Sequence, residues 1–285
     1  MSIQSIIQWM MIGISIVLLS GQSAANLQNR GMSLQPATPD NYELVWSDEF
    51  DYEGLPDDSK WSYDVGDGCP DLCGWGNNEQ QYYAQNRLEN TRVQDGHLII
   101  TARKESYKSA AYTSARLLTR NKMAWTYGRI EVKAKLPLGR GTWPAIWMLP
   151  EEWVYGGWPS SGEIDIMEHV GHEPNRIYAT AHTEAFNHSD GTQNTDTLRV
   201  PDAEHRFHRY AIEWTPDAIT WFVDDKQYAV FKNRRQTYKE WPFDQPFHLI
   251  LNIAVGGNWG GQEGIDDTIW PQEMVVDYVR IYQKE

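Results

Sequence analysis

Strict period-two alternation recurs along this chain and excludes most folds before any residue is given a role. Gly128–Lys135 sets Ile130, Val132 and Ala134 on one side and Arg129, Glu131 and Lys133 on the other, the pattern of a half-buried β-strand. Similar runs occur at Ile177–Thr183, Phe207–Trp214 and Ala218–Asp225, and Met274–Tyr282 reads as another clean alternation. Phe247–Val255 is apolar nearly throughout, as a strand buried on both faces would be, and stops at Gly256-Gly257. Gly- and Pro-rich turns separate these runs, and helical periodicity is almost absent. The pattern predicts an all-β, two-sheet sandwich. At 285 residues a single large domain suffices, and no repeat, low-complexity tract or second linker follows residue 40.

One stretch carries chemistry. In Gly162-Glu163-Ile164-Asp165-Ile166-Met167-Glu168 acidic and aliphatic residues alternate, which sends Ile164 and Ile166 inward and Glu163 and Asp165 outward. The next outward position would be Met167. One extra residue, as in a β-bulge near Ile166-Met167, returns Glu168 to the acidic face. Like charges repeated on one strand face repel, and Asp and Glu are poor strand formers, so a merely solvated face rarely has this composition. Discounting the bulge, Glu163 and Glu168 lie roughly 13 Å apart at Cα, and long side chains leaning together can bring their carboxyls much closer. Retaining glycosidases hold two carboxyls about 5–5.5 Å apart, one as nucleophile and one as acid/base. Asp165, between them, can position the nucleophile and raise a neighbour's pKa.

Fourteen Trp and fifteen Tyr suit stacking on the flat C–H faces of sugars. Trp143 and Trp147, four apart on a strand, face the same way; Trp158 precedes the acidic strand, and Trp259 lies in a glycine-rich loop. A net charge of −14 argues against nucleic acid and anionic membranes as partners. Cys69 and Cys73 make a poor zinc site without a second pair, and a short-loop disulfide fits better in an exported protein. The apolar run Ile6–Leu19, closed by Ser23-Ala24-Ala25, is short for a membrane span and resembles a signal peptide over residues 1–25. Lys and Arg are missing before it, so an uncleaved anchor is the alternative. Residues 26–39 read as a linker or disordered N-terminus, and residues 40–285 as the functional domain. The expected location is secreted, periplasmic or at the cell surface.

Glu-Ile-Asp-Ile-Met-Glu, led by Trp-Pro-Ser-Ser-Gly and followed by His-Val-Gly, resembles the signature of glycoside hydrolase family 16. The two residues between Asp165 and Glu168 are similar to its laminarinase-like, endo-β-1,3-glucanase branch, and Trp46–Phe50 resembles the family's opening strand. The resemblance implies a concanavalin-like β-jelly-roll with a substrate cleft on its concave sheet. It implies Glu163 as nucleophile, Glu168 as acid/base and Asp165 as their support. Asn77, Glu79, Arg116, Trp143, Trp147 and His182 would line the cleft, joined by Trp158 and Trp259. A structural calcium would be held by Glu49, Gly96 and Asp277, against the alternative of a surface salt bridge at Asp277. No cofactor is needed for the chemistry, the partner is a β-glucan, and nothing calls for more than a monomer. Galactan hydrolases of the same family (agarases, κ-carrageenases) and non-catalytic glucan-binding lectins are the alternatives.

Overall fold

Seventeen strands and one turn of 3-10 helix (Cys73–Gly76) make up the described residues, 41–284, of the computed structural model. The expected signal peptide and the whole of the expected linker, residues 26–39, lie outside them. The strands are β1 (Tyr42–Asp48), β2 (Ser62–Asp64), β3 (Gln81–Tyr83), β4 (Thr91–Gln94), β5 (His97–Tyr107) and β6 (Ala110–Ser114). Then come β7 (Arg116–Leu118), β8 (Gly128–Lys135), β9 (Thr142–Pro150), β10 (Glu163–Glu168), β11 (Arg176–His182) and β12 (Asn194–Arg199). The last five are β13 (His208–Trp214), β14 (Ala218–Val223), β15 (Lys226–Lys232), β16 (Phe247–Val255) and β17 (Gln272–Lys284).

They form two sheets. One runs β15-β14-β13-β8-β17-β5-β6-β3, with β1 added on β17 and β4 on β5; the other runs β12-β11-β10-β9-β16-β7-β2. The inward faces meet in a single core. Ile146, Met148, Ile164, Ile166, Leu249, Leu251 and Ile253 of the second sheet pack in one cluster with Ile130, Val132, Ile212, Trp221, Val276 and Val279 of the first. Each such aliphatic side chain contributes about 1.5–3 kcal/mol by leaving water. This is the expected β-sandwich of jelly-roll type, and the acidic strand β10 sits near the middle of the second sheet.

β6 ends at Ser114 in the first sheet, and Arg116 opens β7 in the second. Ala115, fully buried, is where the chain crosses between layers. One expectation needs correction: the alternation of β17 is not clean. Its register against β8 shifts between Val276 and Tyr278, and the core phase moves from Met274 and Val276 to Val279 and Ile281. Asp277 is the extra residue, which is how an acid is accommodated in an apolar strand.

The bulge in β10 falls where the sequence pattern places it. Register breaks after Asp165 on both sides, before Met167 against β9 and before Glu168 against β11. Ile166 and Met167, adjacent in sequence, are both buried. A broken ladder strands backbone groups, and the Asp165 carbonyl accepts a hydrogen bond at 2.8 Å from the indole Nε1–H of Trp221, reaching across from β14. Phe at position 221 keeps the ring and removes this donor. Trp221→Phe is therefore expected to cost about 1–3 kcal/mol and lower Tm by roughly 2–10 °C. Calorimetry showing an unchanged Tm would mean that the bulge is held by other means.

Candidate active site

Because of the bulge, Glu163, Asp165 and Glu168 share one face of β10. Gly162 enters the strand at φ +89°, and a Cβ there would lie 2.9 Å from Phe243 and Pro242, so both conformation and space require glycine. Glu163 Oε2 accepts from Trp158 Nε1 at 2.8 Å, and Glu168 Oε1 accepts from Trp143 Nε1 at 3.0 Å. Each glutamate thus has one oxygen fixed by an indole. Asp165 is 2% exposed. His182, opposite Glu163 on β11, brings Nε2 to 3.4 Å from Asp165 Oδ2 and 3.8 Å from Glu163 Oε1.

Three acids so close and so dry cannot all ionise. Burial pushes Glu163 and Glu168 each up to about 7, and the indole donors pull back only part of the way. Asp165, buried and faced by both glutamates, is raised well above the usual carboxyl range and hydrogen-bonds to Glu163. Burial holds His182 down to about 3, with the His188 ring acting in the same direction, so His182 is a neutral imidazole. Glu163, Asp165 and His182 place donor atoms within 4.8 Å of one another.

Trp143 and Trp147 both face the cleft, with small Ala145 between them leaving a groove floor. Trp147 begins a relay: its Nε1 donates to Asn252 Oδ1 at 2.7 Å, Asn252 Nδ2 to Tyr83 OH at 3.0 Å, and Tyr83 OH to Glu79 Oε2 at 3.2 Å. Glu79 also accepts from Gln81 at 2.6 Å and Asn77 at 3.5 Å, and burial raises its pKa. Arg116 lies between two indoles, its guanidinium carbon 4.7 Å from the Trp75 and Trp147 centroids, with Asp64 Oδ2 3.0 Å from its Nε. Arg116 thus lines the groove and is paired with Asp64. Trp259 packs edge-on against Trp143 and Tyr178, centroids 5.5 and 4.7 Å apart. Gly260 next to it admits no side chain, since a Cβ would lie 2.8 Å from that of Trp143.

Space opens on both sides of the carboxyls. A cavity of about 650 Å³ is lined by Tyr178, Thr180, His182, Gln193, Thr195 and Trp259, and one of about 410 Å³ by Trp75, Arg116, Trp147, Leu149 and Trp153. Glu163, Glu168, Trp143, Asn77 and His188 line both. Sequence reasoning missed Thr180, which shares the period-two phase of His182 and could have been found. His188 carried no signal. It sits in a loop braced by buried Asn187, whose Nδ2 donates to Asp190 Oδ2 at 3.0 Å, and its ring lies 4.8 Å from that of Trp158.

Cys69 and Cys73 form the expected disulfide. The proposed calcium ligands fit poorly. Glu49 holds Arg280 through both oxygens, at 2.9 and 2.8 Å, and Asp277 Oδ2 lies 2.6 Å from Lys133 Nζ. Both carboxylates are already neutralised by cations, so the salt-bridge alternative describes this corner, with Lys133 as the partner of Asp277.

Comparison with known proteins agrees with this geometry. A model of glycosyl hydrolases family 16 matches residues 78–280. A β-glucanase of Rhodothermus marinus is 60% identical over 250 residues, covering 85% of this chain and 86% of that protein. The solved laminarinase from Rhodothermus marinus superposes with a TM-score of 0.82 at 59% identity, covering 86% of this chain and 98% of that one. SCLam, a non-specific endo-β-1,3(4)-glucanase, superposes with a TM-score of 0.82 at 46% identity, covering 88% and 94%.

The raised carboxyls carry a stability cost with a definite sign. The folded protein keeps protons that the unfolded chain releases above about pH 4.5, so stability falls as pH rises from there through about 7. Glu163→Gln removes one such group while keeping an acceptor for Trp158. Its Tm should exceed the parent's at pH 8 and converge with it near pH 4; a gap independent of pH would contradict a raised Glu163.

Proposed function

The chain belongs to glycosyl hydrolase family 16, and from that premise we propose that it is an exported, endo-acting, retaining hydrolase of β-1,3-glucan. The observation that carries the mechanism is the pair of glutamates on one strand face, each held by its own indole, with buried Asp165, its pKa raised by burial and by both glutamates, between them.

Ionised Glu163 attacks the anomeric carbon while Glu168 gives its proton to the departing glycosidic oxygen, leaving a glycosyl ester on Glu163. Glu168, now a carboxylate, takes a proton from water, and that water displaces Glu163 with net retention. Asp165 keeps its own proton throughout. Its hydrogen bond holds Glu163 in line and stabilises the carboxylate as it leaves. No step requires a cofactor. Endo action follows from sugar-sized space on both sides of the scissile position. The β-1,3 preference is supported by the laminarinase relative, and tolerance of mixed β-1,3/1,4 links by the likeness to SCLam. Export is supported by the apolar N-terminal run and by the disulfide, which persists in oxidising compartments. N-terminal sequencing of the protein recovered outside the cytoplasm tests it, and a start after Ala25 is expected.

Reducing-sugar release should be seen with laminarin, weaker with mixed-linkage glucan, and absent with agarose and κ-carrageenan. Glu163→Gln should abolish it with glucan affinity retained. Cleavage of a galactan would discard the substrate and keep the mechanism; turnover by the variant would remove Glu163 as nucleophile.

The indoles set the pH range. Each Nε1–H stabilises an ionised carboxylate, so its removal raises that group's pKa. Trp158→Phe should move the acid limb of kcat/KM upward, since Glu163 then ionises later. Trp143→Phe should move the alkaline limb upward, since Glu168 then keeps its proton longer. Both limbs belong to the coupled set, so the check is which limb moves most; identical profiles would show that the indoles serve only as sugar platforms.

A further inference from the structure

The two halves of the cleft differ in character. On the β11–β12 side the lining is largely hydroxyl, amide and imidazole; on the β7–β9 side it is aromatic and aliphatic beyond Arg116. Apart from Trp158, whose indole donates to Glu163, two large apolar side chains on this second half are exposed: Leu72 at 54% and Trp153 at 37%. Single exposed apolar residues are ordinary on a protein surface. These two, however, line the same groove as Trp75, Trp147 and Leu149.

Neither exposure is an accident of a loose loop. Leu72 lies inside the Cys69–Cys73 disulfide loop, its own N–H bound to Gly68 O at 2.7 Å and Gly74 N–H bound to Asp67 O at 2.8 Å. Asp67 is in turn fixed by Ser109 Oγ at 2.6 Å. Its isobutyl group rests on Gly76, where an added Cβ would come within 3.2 Å of Leu72 Cδ1. Trp153 follows β9 directly, in a turn closed by Gly156 N–H to Trp153 O at 3.1 Å. It also continues the cleft-facing stripe Trp143-Ala145-Trp147-Leu149 off the end of the strand. Holding apolar surface rigid in water has no folding benefit; it has one if a sugar chain covers it.

Resting on the glucan reading above, we infer that Leu72 and Trp153 form an outlying platform for glucosyl units beyond those held at Trp147 and Arg116. Its occupant is the same β-1,3-glucan chain that reaches the carboxyls, because the groove is continuous with Glu163, Asp165 and Glu168. Apolar contact with C–H faces makes the site indifferent to charge and dependent on chain length.

The test is calorimetric binding of β-1,3-gluco-oligosaccharides of two to seven units to Glu163→Gln protein, with and without Trp153→Ala or Leu72→Ala. Affinity in the parent should keep rising with length. Trp153→Ala should weaken the longest ligand about 3- to 10-fold, the range of one aromatic contact, and leave the shortest within about twofold of the parent. Trp153→Tyr, which keeps a ring, should restore the length dependence. A loss equal at every length, or no loss at any, overturns the platform. A wild-type protein that releases no reducing ends from laminarin overturns the functional reading instead, and the binding series still decides between a length-dependent platform and none.

Discussion

The hydrogen bond from the Trp221 indole to the Asp165 carbonyl links the two sheets at the place where β10 breaks its ladder. Without the bulge, Met167 would face the cleft and Glu168 the core. A charged residue buried there would cost several kcal/mol, and the catalytic pair would lose one member. The bulge itself needs compensation, since an interrupted ladder leaves polar backbone in an apolar interior. That compensation comes from β14, in the opposite layer. Packing of the sandwich and alignment of the carboxyls are in this sense one constraint.

Around the carboxyls the chain uses neutral donors. Trp143 and Trp158 each give one N–H to a glutamate, and among the described residues the cation acting on Glu163 is Arg116, itself placed between two rings and held by Asp64. A lysine or arginine in contact would depress a glutamate and leave it unable to carry a proton near neutrality. Indoles steady an oxygen without that penalty. They also present an apolar face, so the same ring can orient a carboxyl and support a sugar. The abundance of tryptophan thus answers two demands, and His182 is kept neutral by the same dry surroundings.

Much of this was legible in the sequence because it is local. Period two, broken by one residue, located the bulge and the three acids; the spacing of Trp143 and Trp147 put them on one face. What was not legible depends on partners far away in the chain. Nothing near Trp221 announces that it caps residue 165. Asp277 was expected as a calcium ligand by resemblance alone; its carboxylate lies against Lys133, on the neighbouring strand β8, which no local pattern announces. The crossing between layers at Ala115 is marked by no turn residue. His188 lies in a loop, where periodicity has nothing to say.

The position of β17 bears on how the molecule comes into being. Formed from residues 272–284, it lies between β8 and β5 in the middle of the first sheet and also pairs with β1, joining Trp46 to Ile281. The sheet therefore cannot close until synthesis has reached its far end, and contacts spanning more than two hundred residues must form together. Such topology folds slowly and as a unit. A chain still emerging from the ribosome lacks the central strand of this sheet until its last residues are made.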